Sequence, residues 1–253
     1  MRKYLKIVLP IILIFGWETV AILLNNPFIL PRIEAVVAVL LEPTKNILGS
    51  GSLLEGAGLS LYRVLLGFLT AAAVAIPLGI LMGRYPTVQD LADGVIQLFR
   101  PIPPLAWLPV ALAWFKIGLT SIVFIIFIGA FFPIVLNTVA GVKGVNRTWL
   151  ETATVYGASE RQIMTKVVLP AAAPTIWTGL RVSLGIAWQC VVAAEMLPGT
   201  TSGLGYMIMA AYNLGQMQVI IAGMIVIGFI SLVLDALFRG VEGRMFAWQG
   251  RYQ

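Results

Sequence analysis

Four charged side chains interrupt long apolar runs and are the first candidates for chemistry: Arg63, Arg100, Arg181 and Glu195. Holding such a charge at the centre of a bilayer costs at least about 2.5–3.5 kcal/mol, so each should face protein or water. Charges in such places suit the binding and passage of a solute. Acid–base catalysis is disfavoured, because the chain has no histidine and no paired acids on a shared helix face.

Arg181, Trp188 and Glu195 are spaced by seven residues and therefore share one face of a helix. Gly185 lies within roughly 40° of Arg181 on the same projection. A face with two charges, an aromatic ring and a glycine is not left to lipid. Two interpretations stay open, which are packing against another helix and lining a translocation path. Gln189, some 80° from Arg181, is a weaker path candidate.

Arg100 precedes Pro101, Pro103 and Pro104, which remove backbone donors and break or kink a helix. The freed carbonyls then need buried donors or cavity water. Arg100 either caps these carbonyls, which is the interpretation we favour, or adds a cation to an anion path beside a broken helix. Arg63 lies near the outer end of its apolar run, and it either snorkels to the interface or serves the path.

Several kinds of site are excluded by composition. The chain has no histidine and one cysteine, Cys190, which rules out Cys/His zinc sites and an intramolecular disulfide. A Gly-x-x-x-x-Gly-Lys-Ser/Thr phosphate loop does not occur, so we do not expect an ATP site in this chain. We predict no catalytic residue, no metal ligand and no cofactor bound by the chain itself.

The composition is that of an all-α polytopic membrane protein. Of the 253 residues, 59% are hydrophobic and 11% are charged, whereas soluble domains carry about 25% charged residues. We predict a single transmembrane domain over residues 1–253. A bilayer crossing needs about 20 apolar residues, and six runs meet this need: 7–24, 58–82, 94–115, 119–141, 172–196 and 217–238.

Three shorter elements are expected between and after these runs. Residues 34–42 are apolar with charged ends and predict an interfacial helix. Residues 198–216 predict a short helix that dips partway into the membrane. Residues 238–248 predict a tail helix on the membrane surface.

Positive charges predict the orientation of the chain. Three lie on one side of the six runs, Arg32, Lys45 and Lys116. Eleven lie on the other side: Arg2, Lys3, Lys6, Arg84, Lys143, Arg147, Arg161, Lys166, Arg239, Arg244 and Arg251. Both termini and residues 146–170 are therefore predicted to be cytoplasmic in a multi-pass protein of the cell membrane. The net charge of +6 then belongs to membrane edges, and we expect no nucleic-acid partner.

The longest water-facing run of the chain covers residues 151–170. We predict a helix from Glu151 that ends at Gly157, then a second helix that Ser159 caps and Pro170 stops. A slim turn between two short helices suits insertion into a cleft of a partner protein. The alternative is a loop that lies on the membrane.

The register of this run resembles the EAA loop in the membrane subunits of ABC importers. The order is Glu-x-Ala-x-x-x-Gly, nine residues, a β-branched residue, one residue and Leu-Pro. Thr152 stands where alanine is usual, and Val167 where isoleucine is usual. The candidate ATPase-coupling residues are Glu151, Ala153, Gly157, Ala158, Ser159, Val167, Leu169 and Pro170. Other segments resemble the nitrate/sulfonate/taurine/bicarbonate group of these permeases: 60–68, 76–79, 100–107, 179–181, 194–196, 203–205 and 242–244.

The resemblance implies the fold and the partners of a type I importer permease. It implies a second permease copy, most simply as a homodimer, two cytoplasmic ATPase subunits that hold ATP and Mg²⁺, and an external solute-binding protein. The solute would be a small anion such as nitrate, a sulfonate, taurine or bicarbonate. In-membrane charges favour an anion only slightly, with Arg63, Arg100 and Arg181 against Glu18 and Glu195. A permease for a vitamin precursor such as a pyrimidine, and a passive channel, remain the alternatives.

Overall fold

The computed structural model describes residues 2–47, 49–197 and 200–246, except for the side chains of residues 2–7 and 10. These residues form helices joined by turns, and no strand occurs among them. The predicted all-α class is therefore confirmed. In chain order the helices are α1 (Arg2–Leu24), α2 (Ile33–Leu41), α3 (Leu53–Arg84), α4 (Pro86–Phe99), α5 (Leu108–Phe115), α6 (Leu119–Lys143), α7 (Arg147–Val155), α8 (Glu160–Ile163), α9 (Leu169–Glu195), α10 (Leu204–Asn213) and α11 (Met217–Met245).

Within the described residues, four helical stretches are long and apolar enough to cross a membrane. They are α3, α6, the continuous stretch Glu160–Glu195 and α11. They contain the predicted runs 58–82, 119–141 and 217–238 and nearly all of 172–196, which ends one residue beyond α9. The predicted run 7–24 lies in α1, where the apolar helix of described residues is only Ile11–Leu24. The count of six spans therefore stays a prediction.

The predicted run 94–115 is not one continuous helix. It is a broken pair in which α4 and the helical piece Pro104–Phe115 meet at 87°. Pro101 and Pro103 lie in the break, where they cannot donate the hydrogen bonds that would continue α4. The expected effect of the prolines is confirmed, and the pair counts as a fifth crossing only if both pieces belong to one span.

The predicted shorter elements are helical, and one of them is continuous with α11. The predicted helix at 34–42 is α2, and α10 lies within the run 198–216, of which residues 198 and 199 are outside the described residues. The predicted tail helix at 238–248 is helical as far as Met245, where it forms the end of α11 and not an element of its own. No proline interrupts α11, so its backbone hydrogen bonds continue to Met245. Trp248 lies outside the described residues.

The chain divides into two compact units. The first unit contains Met1–Ser60 and Glu195–Ile230, and the second contains Leu61–Ala194 and Ser231–Gln253. In the second unit, α6 provides much of the core, with Ile125, Ile126, Ala130, Ile134 and Val135 fully buried.

In the second unit, glycines of α3 allow close approach to α6. A Cβ added at each glycine would lie 2.5–2.6 Å from a side-chain carbon of α6, and the pairs are Gly67 with Ile126, Gly79 with Thr138 and Gly83 with Val142. Small residues at helix contacts are the usual means by which helices pack in membranes. The Gly83–Val142 contact lies near the C-terminal ends of α3 and α6, and α7 follows shortly after α6.

Candidate coupling segment and charged sites

Residues 146–170, which we call the coupling segment, form a helix–turn–helix in the second unit. The Asn146 side chain caps α7 by accepting the Thr148 N–H at 2.9 Å. Gly157 has a φ of +76°, a left-handed conformation that glycine adopts without strain. Ser159 caps α8 in a reciprocal capping box with Gln162. The glycine turn and the serine cap that we predicted are confirmed.

The second helix of the coupling segment does not stop at Pro170 as we predicted. The Leu169 N–H donates to Met164 O, five residues back, so Met164–Val168 forms one wide turn. Pro170 lacks an N–H, and its ring would crowd the carbonyl four residues back in a regular α-helix. The wide turn absorbs this mismatch. Helix therefore continues over 36 residues, Glu160–Glu195.

The tip of the coupling segment is apolar and exposed. Val155 and Tyr156, which precede Gly157, are 85% and 87% exposed. A Cβ at Gly157 would meet nothing within 4 Å, so its backbone conformation, and not space within this chain, favours glycine. Sequence reasoning did not single out Tyr156. The available signal was an aromatic residue beside a glycine turn in the most polar run of the chain.

Three of the predicted coupling residues, one on α7 and two after the turn, line a common groove. A groove of about 420 Å³ separates α7 from the start of α9, and Ala153, Val167 and Pro170 line it. Glu151 is exposed and pairs with Arg147 at 2.8 Å. Leu169 is half-buried, and Ala158 lies in the turn.

An apolar layer lies beneath the coupling segment. Val142, Val168 and Ala172 are buried together, and Leu150 and Ile163 of the segment pack against them. A surface ion pair between Arg84 and Glu160 at 3.1 Å adds a contact to the end of α3. Exposed pairs of this kind stabilise little. The apolar layer therefore holds the segment, while its tip stays open to solvent.

Arg181 is tied to α11 by two carboxylates. Its Nε lies 2.7 Å from Asp235 Oδ1 and its guanidinium 3.4 Å from Glu242 Oε2. Arg239 reaches the other oxygen of Asp235 at 2.9 Å. Arg181, Gly185 and Trp188 line a common cavity of about 180 Å³. Part of the predicted face of α9 therefore borders a cavity, and the charge of Arg181 is met by acids that sequence reasoning did not pair with it.

Replacing Arg181 should therefore destabilise the fold more than replacing Arg239. Arg181→Ala removes the bridge between α9 and α11 and leaves two partly covered carboxylates, whereas Arg239→Ala removes a pair within α11 only. We expect a lower thermal midpoint for R181A than for R239A in detergent, measured by fluorescence-detected size exclusion after heating. Equal midpoints would show that the bridge contributes nothing.

Glu195 is fully buried in the first unit. Its Oε2 accepts the Ser60 hydroxyl at 2.8 Å and the Gly205 N–H at 3.1 Å. Ser60 Oγ in turn accepts the Leu204 N–H at 3.1 Å. Leu204 and Gly205 are the first residues of α10, so Glu195 and Ser60 cap the N-terminus of that helix.

The remaining path candidates differ in exposure. Trp188 is 2% exposed, whereas Gln189 is open on the surface of the chain. Arg100 is exposed at the end of α4, beside the break. Arg63 is half-buried on α3. Gln189 and Arg100 are therefore the path candidates best placed to meet something outside a single chain.

Sequence comparison matches this chain to one family over most of its length. The family described as the binding-protein-dependent transport system inner membrane component matches residues 75–247. A protein of Methanocaldococcus jannaschii, named provisionally as an ABC transporter permease, is 58% identical over 97% of this chain and 92% of its own. The taurine transport system permease protein TauC of Escherichia coli is 37% identical over 97% and 89%. The nitrate import permease protein NrtB of Synechocystis is 39% identical over 86% and 79%.

Solved structures show the same fold. A chain from the inward-facing MetNI methionine ABC transporter superposes with a TM-score of 0.59 at 20% identity, covering 75% of this chain and 95% of its own. A chain of an amino acid ABC transporter gives a TM-score of 0.60 at 18% identity, covering 76% and 92%. At this identity the likeness establishes the fold alone.

Proposed function

This chain belongs to the inner-membrane components of binding-protein-dependent transport systems and is a permease subunit of an ABC importer, and we propose that it carries a small oxyanion. The taurine permease of Escherichia coli and the nitrate permease of Synechocystis are similar over most of this chain. Taurine carries a tetrahedral sulfonate group and nitrate is planar, and both present anionic oxygens. A solute of that chemistry, delivered by an external binding protein, is the simplest reading of both likenesses.

The coupling segment carries the proposal for how transport is driven. Its tip, Val155 and Tyr156 beside Gly157, is an exposed apolar projection. The helices that carry this tip pack on the buried apolar layer beneath them. Exposed aromatic residues on a rigid support are typical anchors of protein interfaces. We propose that this tip inserts into a cleft on a cytoplasmic ATPase subunit. The whole importer would then contain two permease copies and two ATPases, with ATP and Mg²⁺ held on the ATPases, and the termini of this chain would face the cytoplasm.

The translocation path would be formed where two permease copies meet. Arg100, exposed beside the break after α4, and Gln189 on α9 are the residues we place there first. Arg63 is a further candidate on α3. Arg181, Trp188 and Glu195 would serve the path indirectly, because Arg181 is paired with acids and the other two side chains are buried.

Purification of the assembled importer tests this proposal. The tagged chain, expressed with its ATPase and binding protein, should retain the ATPase in mild detergent. In proteoliposomes, uptake of labelled taurine or nitrate should need both ATP and the binding protein. A channel would purify without an ATPase and would conduct without ATP. Uptake of a pyrimidine that taurine and nitrate do not inhibit would contradict the oxyanion and favour the vitamin-precursor alternative.

Tyr156→Ala should weaken the association with the ATPase. Truncation of an aromatic anchor at an interface commonly costs about 2 kcal/mol or more, which is a loss of roughly thirtyfold in affinity. Tyr212→Ala is the matched control, because Tyr212 is 63% exposed but lies on α10, far along the chain from the coupling segment. The measurement is the ATPase retained per permease after washing. Equal retention in the two variants would remove Tyr156 from the interface.

A further inference from the structure

The carboxylate of Glu195 is buried completely and is used to hold a short helix. It accepts hydrogen bonds from Ser60 on α3 and from the backbone of Gly205 on α10. The Thr200 hydroxyl also donates to Glu195 O at 2.6 Å, which fixes the end of α9. An ionised carboxylate is expensive to bury and is retained where its partners are well placed. The site therefore joins α3, the last residue of α9 and the first turn of α10.

Glycines in the backbone around this carboxylate allow the neighbouring segments to approach it closely. Gly203 has a φ of +112°, and a Cβ there would lie 2.3 Å from Glu195 Cδ. A Cβ at Gly56 of α3 would lie 3.3 Å from the Gly203 carbonyl carbon. Any side chain at position 203 would push the carboxylate away from α10. The contact thus depends on the shape of three segments and not on one hydrogen bond.

A second in-membrane acid of the same unit is used in the same way. The Ile33 N–H, at the first residue of α2, donates to Glu18 Oε2 at 3.0 Å. Both Glu18 and Glu195 therefore occupy N-termini of short helices, where a negative charge is favoured by the helix dipole. The two acids differ in the helix that carries them. Only Glu195 lies at the end of a helix that begins in the coupling segment.

The continuous helix Glu160–Glu195 links the two ends of this arrangement. Its 36 residues correspond to about 54 Å at 1.5 Å per residue. This length exceeds the roughly 40–45 Å of a bilayer with its headgroups. One end carries the tip of the coupling segment, and the other end carries the carboxylate that caps α10. The wide turn Met164–Val168 lies near the first end, and α9 continues from Leu169 to Glu195 as one unbroken helix with Pro174 in its second turn.

We infer that Glu195 is a positioning residue that transmits movement of α9 to α10, so that α10 acts as the outer gate of the permease. The inference rests on the proposed function, since it needs an ATPase at the coupling segment. When the coupling segment moves, the carboxylate draws the first turn of α10 with the end of α9. Most of one face of α10 is buried, with Leu204, Met207, Ile208 and Ala211 packed inside the first unit. Its displacement would open or close that packing for the solute.

Ser60→Ala is the mildest variant that weakens the link, and Ser183→Ala is its matched control. Both serines are fully buried, but the Ser183 hydroxyl donates to Gly179 O within its own helix. In proteoliposomes with the ATPases and binding protein, we expect uptake per ATP hydrolysed to fall about tenfold in S60A, as expected for losing a hydrogen bond to a charged group. Glu195→Gln should give a smaller loss than Glu195→Ala, because the amide oxygen still accepts. Wild-type coupling in S60A and E195A would overturn the inference.

A thiol on α10 reports the movement directly. Cys190 is the only cysteine of the chain and is buried, so Tyr212→Cys adds one exposed thiol to an otherwise quiet background. We expect a non-hydrolysable ATP analogue to change the rate at which an impermeant maleimide labels this thiol, and S60A to abolish that change while S183A keeps it. The same change in S60A and S183A would overturn the inference.

The two proposals fail in different ways. If Gly157→Val abolishes the ATP-dependent change in labelling and Ser60→Ala does not, the coupling segment works without the Glu195 link. If Gly157→Val leaves the change intact, the ATPase does not act through the coupling segment, and the proposed function is wrong together with this inference.

Discussion

Gly157→Val should abolish transport and the stimulation of ATP hydrolysis while leaving the permease in the membrane. Gly157 has a φ of +76°, a conformation that costs ordinary residues about 1–2 kcal/mol and β-branched residues more. The wild-type tip presents Val155 and Tyr156 at a set angle, and a valine at 157 would turn the chain away from it. The measurements are binding-protein-dependent uptake and ATPase rate in proteoliposomes, with membrane content checked by immunoblot.

Gly157→Asn distinguishes the effect of the backbone conformation at position 157 from the effect of side-chain size. Asparagine tolerates the left-handed conformation far better than valine, and a Cβ at this position meets nothing within 4 Å of the chain itself. Uptake that recovers in G157N shows that the turn is what matters. Uptake that is lost in both variants shows that the partner's cleft has no room for a side chain. Normal uptake in G157V would refute the docking role.

Gly79→Ala should destabilise the permease by about 1–3 kcal/mol, the usual cost of overpacking a close contact. The new Cβ would lie 2.6 Å from Thr138 Cβ and 2.9 Å from the Val135 carbonyl oxygen. Both positions belong to the buried core helix α6, so relief requires α3 and α6 to separate. The measurement is the thermal midpoint of the detergent-solubilised protein.

Gly58→Ala provides a control within the same helix. Gly58 also lies in α3, and a Cβ there meets nothing within 4 Å. Replacing an unconstrained helical glycine by alanine stabilises by about 0.5–1 kcal/mol. The two variants should therefore shift the midpoint in opposite directions. An unchanged or higher midpoint in G79A would contradict the packing of α3 on α6.

Hydropathy and local capping rules predicted much of the fold. The apolar runs 58–82, 119–141 and 217–238 lie within helices, because a long apolar segment in a bilayer satisfies its backbone only as a helix. The cap at Ser159 and the turn at Gly157 follow from the chemistry of single residues. The prolines after Arg100 predicted the break that follows α4.

Other features depend on residues that are distant in the sequence. The wide turn before Pro170 could not be predicted, because proline rules describe a regular α-helix and not one that gains a residue. The pairing of Arg181 with Asp235 joins positions 54 residues apart. Glu195 was predicted to share a face with Arg181, but the Ser60 hydroxyl that donates to its carboxylate lies 135 residues away. Spacing along one helix predicts which of its side chains share a face. It does not predict which residues of other helices those side chains contact.

Site-specific cross-linking at the tip tests the central claim, that the coupling segment receives the ATPase. A thiol introduced by Tyr156→Cys, in the intact importer, is treated with a photoactivated maleimide cross-linker, and Tyr212→Cys on α10 is the control. Because Cys190 is buried, products report the introduced thiol. The account predicts a cross-link from position 156 to the ATPase subunit and none from position 212. A tip that couples only to lipid, in an importer that hydrolyses ATP and transports normally, would contradict it.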